Sequence, residues 1–404
     1  MKDRLLQLAG VAATIVFVLL VLARVAGQSA NTAPAAATEG APLLTPWGEP
    51  NLEGIWTVEF QIPLERPAEF KDKPVLTDEE RAELDKTRAA MPHFGDRVAP
   101  RGTESDVTGA YNSVFTSQRP SGRRTSLIID PPDGRIPPLT PEARQRNNEM
   151  RQYQLALLQA TDVCKNKVRG ACEDGAYGPP SPRRAEEPPH YMTQAINRSD
   201  NPEDRGNGER CMSGSLPEFA GGFTGVHRRI VQAPGVVTMY YDSGQGQGWH
   251  RDIPISTAPH LPLGIRLWWG DSRAYWEGNT LVVDVTNFSP KRDFQGSREN
   301  LHLIERWTRT GPNTLEIVAT MEDPTTWTRP WTVSQEFAKQ SEFANRIYTE
   351  PRCHEGNYGL IGLLAGARAE DKAFKEGRGP NPATKCYAGC GVDPEGVLDP
   401  LALR

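Results

Sequence analysis

Through the second half of the chain, apolar and polar residues alternate with period two. In 280–288, Leu281, Val283 and Val285 fall on one side and Thr280, Asp284 and Thr286 on the other, the signature of a strand with one dry face. Segment 314–321 repeats the pattern with Leu315, Ile317, Ala319 and Met321. Turn dipeptides separate such segments. Pro234-Gly235 divides 226–233 from 236–242, Gly278-Asn279 divides 273–277 from 280–288, and Gly311-Pro312-Asn313 divides 301–309 from 314–321. Two further strands are expected at 331–338 and 347–352. Short strands punctuated in this way predict an antiparallel meander. Segment 301–309 breaks the alternation, because Glu305 shares a face with Leu301, Leu303 and Trp307, while His302, Ile304 and Arg306 occupy the other.

Upstream the pattern differs. Segment 52–60 (LEGIWTVEF) is rich in β-branched and aromatic residues and reads as a first strand. From 62 to 215 apolar density falls and Pro and Arg recur, with two helices expected inside. One starts at Thr77-Asp78-Glu79-Glu80, a capping box, and is stopped by Pro92. The other starts at Thr140-Pro141 and carries Met150, Tyr153, Leu157 and Leu158 at helical spacing. A strand at 126–130 and a turn at Pro131-Pro132-Asp133-Gly134 lie between them, and a last helix is expected over 360–375. The chain thus divides into a first strand (47–61), a partly helical insertion (62–215), a β meander (216–352) and a helix with a Cys/Pro/Gly-rich tail (353–404).

The extreme N-terminus adds a compartment. Lys2 and Arg4 precede an uncharged, mostly apolar run over 5–23, then Val25 and Gly27 and a polar stretch. Residues 1–27 read as a signal peptide, or as an uncleaved inner-membrane anchor at 5–23, and 28–46 as a flexible leader. Either reading exports the rest to the periplasm or beyond. The 37 Gly and 35 Pro among 404 residues make about 18% against roughly 12% in average proteins, which suits a turn-rich β fold. A net charge of −5 with no basic run argues against nucleic acid as a partner, and the only membrane contact expected is the N-terminal anchor.

Six cysteines, Cys164, Cys172, Cys211, Cys353, Cys386 and Cys390, follow the leader. An even count in an exported chain reads as disulfides. Of fifteen pairings, the short spacings favour Cys164 with Cys172 and Cys386 with Cys390, leaving Cys211 with Cys353. No C-x-x-C or Cys/His cluster stands at metal-ligand spacing, and Glu350 occupies the place where a c-type haem site next to Cys353-His354 needs its other Cys. No cofactor and no metal is expected, although His250, His260 and His354 remain the candidates if there were one.

Gly54-Ile55-Trp56 resembles the Gly-x-Trp signature of lipocalins, in which the Trp closes one end of an eight-stranded barrel. The resemblance implies a meander closing into a lipocalin- or calycin-like barrel, with an insertion that ordinary lipocalins lack. A wider resemblance rests on PNLEGIWT (50–57), DGRIPPLTPE (133–142), GDSRAYWEGNTLVVDVTNF (270–288), ENLHLIER (299–306) and CHEGNYGL (353–360). These runs resemble an uncharacterised family of exported proteins of environmental bacteria, with Ala274 and Asn279 in place of Gly and Asp. That likeness implies export and carries no activity with it.

Three functional readings follow. The leading one is a barrel whose lumen binds a small hydrophobic or aromatic molecule, with Tyr240, Tyr241, Trp249, His260, Trp268, Trp269 and Trp276 as the candidate contacts. The second is a hydrolase, lyase or isomerase using Glu305 as acid or base, with His302, Arg306, His354, Glu355 and Arg251 as candidate partners. The third is a structural, envelope-interaction protein whose helical insertion is the contact surface. Gly270-Asp271-Ser272 opens a hairpin and lacks the strand-to-helix context of a hydrolase nucleophile, no G-x-S-x-G is present, and 244–248 lacks the context of a phosphate loop.

Overall fold

The computed structural model describes residues 43–90, 119–167, 177–212, 214, 216–219, 227–242, 249–341 and 357–388. The N-terminal run at 5–23, the strand expected at 347–352, and Cys172, Cys353, His354, Glu355 and Cys390 lie outside them. Among the described residues no helix is long and apolar enough to cross a membrane.

Among the described residues, ten strands form one mixed-length sheet: β1 (Gly54–Thr57), β2 (Ile128–Asp130), β3 (His227–Ala233), β4 (Val236–Asp242), β5 (Trp249–Pro254), β6 (Asp271–Glu277), β7 (Thr280–Thr286), β8 (His302–Gly311), β9 (Thr314–Glu322) and β10 (Trp331–Gln340). Their spatial order is β5-β4-β3-β1-β10-β9-β8-β7-β6, with β2 joined to β10 beside this path. Setting β2 aside, the path is a meander in sequence order with β1 inserted between β3 and β10. The two end strands meet at an isolated parallel bridge, Ile255 with Ala274, so the sheet nearly closes into a barrel. The parallel seam follows from the strand number. Nine strands run alternately up and down, so the first and last point the same way and cannot pair antiparallel. The lipocalin signature leads one to expect eight.

The added strand is β5, which alternation in the sequence does not reveal. Trp249, Arg251 and Ile253 point inward and His250 and Asp252 outward, but an inward Arg hides the period. Elsewhere the pattern reads through. Leu281, Val283 and Val285 of β7 and Leu315, Ile317, Ala319 and Met321 of β9 are all in the core. Glu305 is inside with Leu303 and Trp307, at 2% exposure. The hairpin turns use Gly235 at φ +80° and Gly278 at φ +59°, left-handed conformations that glycine adopts without penalty.

Trp56 closes one end. Its side chain is fully buried, its indole N–H donates to the Leu52 carbonyl at 2.9 Å, and the Arg309 guanidinium lies 5.4 Å over its ring. Glycine is favoured two residues earlier at Gly54, whose φ of +147° is a conformation that side-chain-bearing residues rarely adopt. Because β1 is short, it covers only the last residues of β10, and β2 pairs with Thr332 and Val333 at the other end.

The helical expectations hold. Helix α1 (Asp78–Ala90) begins with the capping box, Thr77 N–H donating to Glu80 Oε2 at 2.9 Å and Glu80 N–H to Thr77 Oγ1 at 3.3 Å. Helix α2 (Pro141–Leu158) is capped by Thr140, which accepts from Ala143 N–H, and packs Met150, Tyr153 and Leu157 into a small second core with Ile196. A short helix α3 (Asp162–Lys165) follows, and α4 (Tyr358–Lys375) lies near the C-terminus. Cys164, Cys211 and Cys386 are disulfide-bonded.

Candidate functional site

Opposite the Trp56 end, where β4, β7 and β9 finish and β5, β6 and β8 begin, the barrel interior becomes charged. Arg251 of β5 and Glu305 of β8 form an ion pair of 2.7 Å, their side chains 3% and 2% exposed. Arg251 Nε donates to Ser272 Oγ at 2.9 Å across the β5–β6 seam, and Nη1 approaches the Tyr241 hydroxyl at 3.4 Å. Thus Ser272 is a ligand of a guanidinium and not a nucleophile. Burial is the largest single influence on Arg251 and lowers its pKa, but the charge of Glu305, Tyr241 and the hydrogen bonds to both together hold Arg251 above its ordinary value. Burial pushes the Tyr241 phenol up to about 12, so it stays neutral.

Aromatic rings continue outward from this pair. Tyr241 stacks on Trp249 with centroids 3.9 Å apart and planes 10° from parallel, and Trp249 stacks in turn on Trp269 at 14°. On the inner side the Arg228 guanidinium lies 4.5 Å over the Tyr241 ring. Trp249 is nearly buried and Trp269 half-buried, so the stack runs from the core to the surface. Gly270, next to Trp269, sits at φ +71°, and an added Cβ would come 2.7 Å from the Thr286 carbonyl oxygen. Only glycine lets the chain turn there from the Trp269 loop into β6.

No protein-family model matches the chain, and no curated protein is similar to it.

Of the aromatic candidates, Tyr241, Trp249 and Trp269 are brought together. Trp276 packs against the core further along β6. Tyr240 alternates to the outer face of β4, and Trp268 is half-buried, its indole N–H donating to the Gly214 carbonyl at 3.0 Å. Of the acid–base candidates among the described residues, only Arg251 joins Glu305. Arg306 pairs with Glu277 on the outer face.

His302 and His260 are outside as well, in a chain of carboxylates. His260 lies 2.9 Å from Asp271 Oδ2 through Nδ1 and 3.1 Å from Asp284 Oδ1 through Nε2. His302 lies 3.1 Å from the same Asp284 oxygen and 3.3 Å from Glu322 Oε2. A hydrogen bond from His302 holds Asp284 below the usual carboxylate range, and the Asp284 contact raises His302 despite its burial. Among the described residues no group of three or more His, Cys, Asp or Glu is placed to hold a metal ion. Arg228, over the Tyr241 ring, is the site residue that the sequence did not single out. Its inward position opposite Tyr241 in the β3–β4 register was the available signal.

Proposed function

We propose that the barrel binds a small aromatic or hydrophobic molecule at the end opposite Trp56, on the stack formed by Tyr241, Trp249 and Trp269, in an exported protein. The observation that carries this reading is the stack itself. Three parallel rings lead from a half-exposed loop residue to a buried Tyr, while Trp56 and Arg309 shut the other end. Barrel mouths are common ligand sites, and ring faces exchange one stacking partner for another at small cost. The disulfide-bonded Cys164, Cys211 and Cys386 support an oxidising compartment. The Arg251–Glu305 pair favours binding over acid–base catalysis, because a carboxylate committed to a guanidinium at 2.7 Å serves to position that cation.

The test is native mass spectrometry of protein purified from its own host, with a thermal-shift panel of lipophiles alongside. A co-purifying small molecule, or stabilisation by aromatic members that Trp249→Ala abolishes, is expected. Absence of both overturns the proposal.

A further inference from the structure

Resting on the reading of a bound aromatic molecule, the interior also restricts which aromatic molecule is accepted. Arg251 has five N–H bonds. Nε and Nη1 are used by Ser272, Tyr241 and Glu305, whereas Nη2 is buried and meets no partner. Two residues away on the same inward face, the Trp249 indole N–H is likewise buried and unpartnered. Across the barrel, where β10 begins, the indole N–H groups of Trp327 and Trp331 are in the same condition, and so are those of Trp276 and Trp307 deeper along the barrel.

All of these atoms are donors. The interior acceptors are already committed, Glu305 to Arg251 and the Ser272 and Tyr241 oxygens to the same guanidinium. The Glu218 carboxylate stands beside Arg228 at 3.7 Å. Buried indole and guanidinium N–H groups ordinarily find partners, and leaving one unmade forfeits a hydrogen bond that water would have supplied. A molecule that brought only ring surface would leave this deficit standing. One that brought further N–H donors would meet donors. One that carried oxygen acceptors on an aromatic frame would fill the stack and the deficit together.

We infer that the ligand of this barrel is an aromatic compound bearing a carboxylate or carbonyl oxygen, seated with its ring on the Trp249 stack and its oxygen on Arg251 Nη2 and Trp249 Nε1. A carboxylate is favoured over a ketone. The Arg251–Glu305 pair is neutral as a unit, and Arg228 adds a cation on the inner side of Tyr241.

The experiment compares four probes of one shape on the full-length, oxidised protein: naphthalene, 2-naphthylamine, 2-acetonaphthone and 2-naphthoate. Quenching of tryptophan fluorescence and calorimetry supply the dissociation constants. The expected order is naphthoate tightest, acetonaphthone next, and naphthalene and naphthylamine at least tenfold weaker than naphthoate. Arg251→Lys keeps a cation for Glu305 and removes Nη2. It is expected to reduce the preference for naphthoate over naphthalene about tenfold, with circular dichroism confirming the fold. Equal affinities across the four probes, or a naphthoate preference unchanged in Arg251→Lys, overturn this inference while leaving the binding function intact. Binding by none of the four overturns both.

Discussion

The buried ion pair gives the sharpest test of the interior. Glu305→Gln keeps the shape of the side chain and removes its charge, leaving the Arg251 cation facing only neutral oxygens among the described residues, those of the new amide, Ser272 and Tyr241. Both partners are almost fully excluded from water, at 3% and 2% exposure, so solvent cannot compensate. Removing one member of such a pair typically costs about 3 to 5 kcal/mol. At about 2 °C per kcal/mol for a large domain, the melting temperature falls by about 6 to 10 °C. Replacing both partners by apolar residues of similar volume, Arg251→Met with Glu305→Leu, removes the uncompensated charge and is expected to restore most of the loss. Urea unfolding followed by tryptophan fluorescence on Arg251→Met, Glu305→Leu and the double variant gives the coupling energy directly, expected at about 5 kcal/mol or more if two losses of about 3 kcal/mol each shrink to about 1 kcal/mol in the double. Single variants that each cost less than about 1 kcal/mol, with a double variant that is simply their sum, would refute the claim that these charges meet inside the barrel.

Other consequences follow from the outer face, the turns and the cysteines. His302 is raised above its ordinary 6.5, so its contribution is complete below about pH 6.5 and fades as pH rises through the folded value. Asp284 is lowered below 3.8, so its contribution is complete above that value and fades in acid. At one-third exposure of His302 the effect stays under about 1 kcal/mol, and thermal scans should show His302→Gln losing its deficit relative to wild type between pH 6 and pH 8. A pH-independent difference would refute the bridge. Gly270→Ala should destabilise by at least about 2 kcal/mol in urea unfolding, since φ +71° and a 2.7 Å contact with the Thr286 oxygen both oppose a Cβ; a neutral substitution would show that the turn into β6 is not fixed. Asn357 Nδ2 lies 3.0 Å from Cys211 Sγ, four positions after Cys353. Peptide mapping without reductant should therefore join the peptides of Cys211 and Cys353, and a free, alkylatable Cys353 would sink that pairing.

What the sequence determined by itself is the set of strands whose inner faces are apolar. Apolar residues at every second position of β7 and β9 leave only one way to bury them, and the glycines at 235 and 278 fix where the chain turns back. Capping residues Thr77 and Thr140 likewise mark their helices locally. It also identified Glu305 as the one charge on an apolar face, and placed His302 on the other side from it. It did not show what Glu305 was for, because its partner stands 54 positions earlier in a strand whose own period is broken by that same partner. An inward Arg and an inward Glu each look like an error in alternation until the barrel sets them face to face. The pairing of β1 with β3 and β10, the parallel seam, and the convergence of Tyr241, Trp249 and Trp269 are likewise long-range outcomes. They depend on how nine strands close around one core, and no local spacing encodes that.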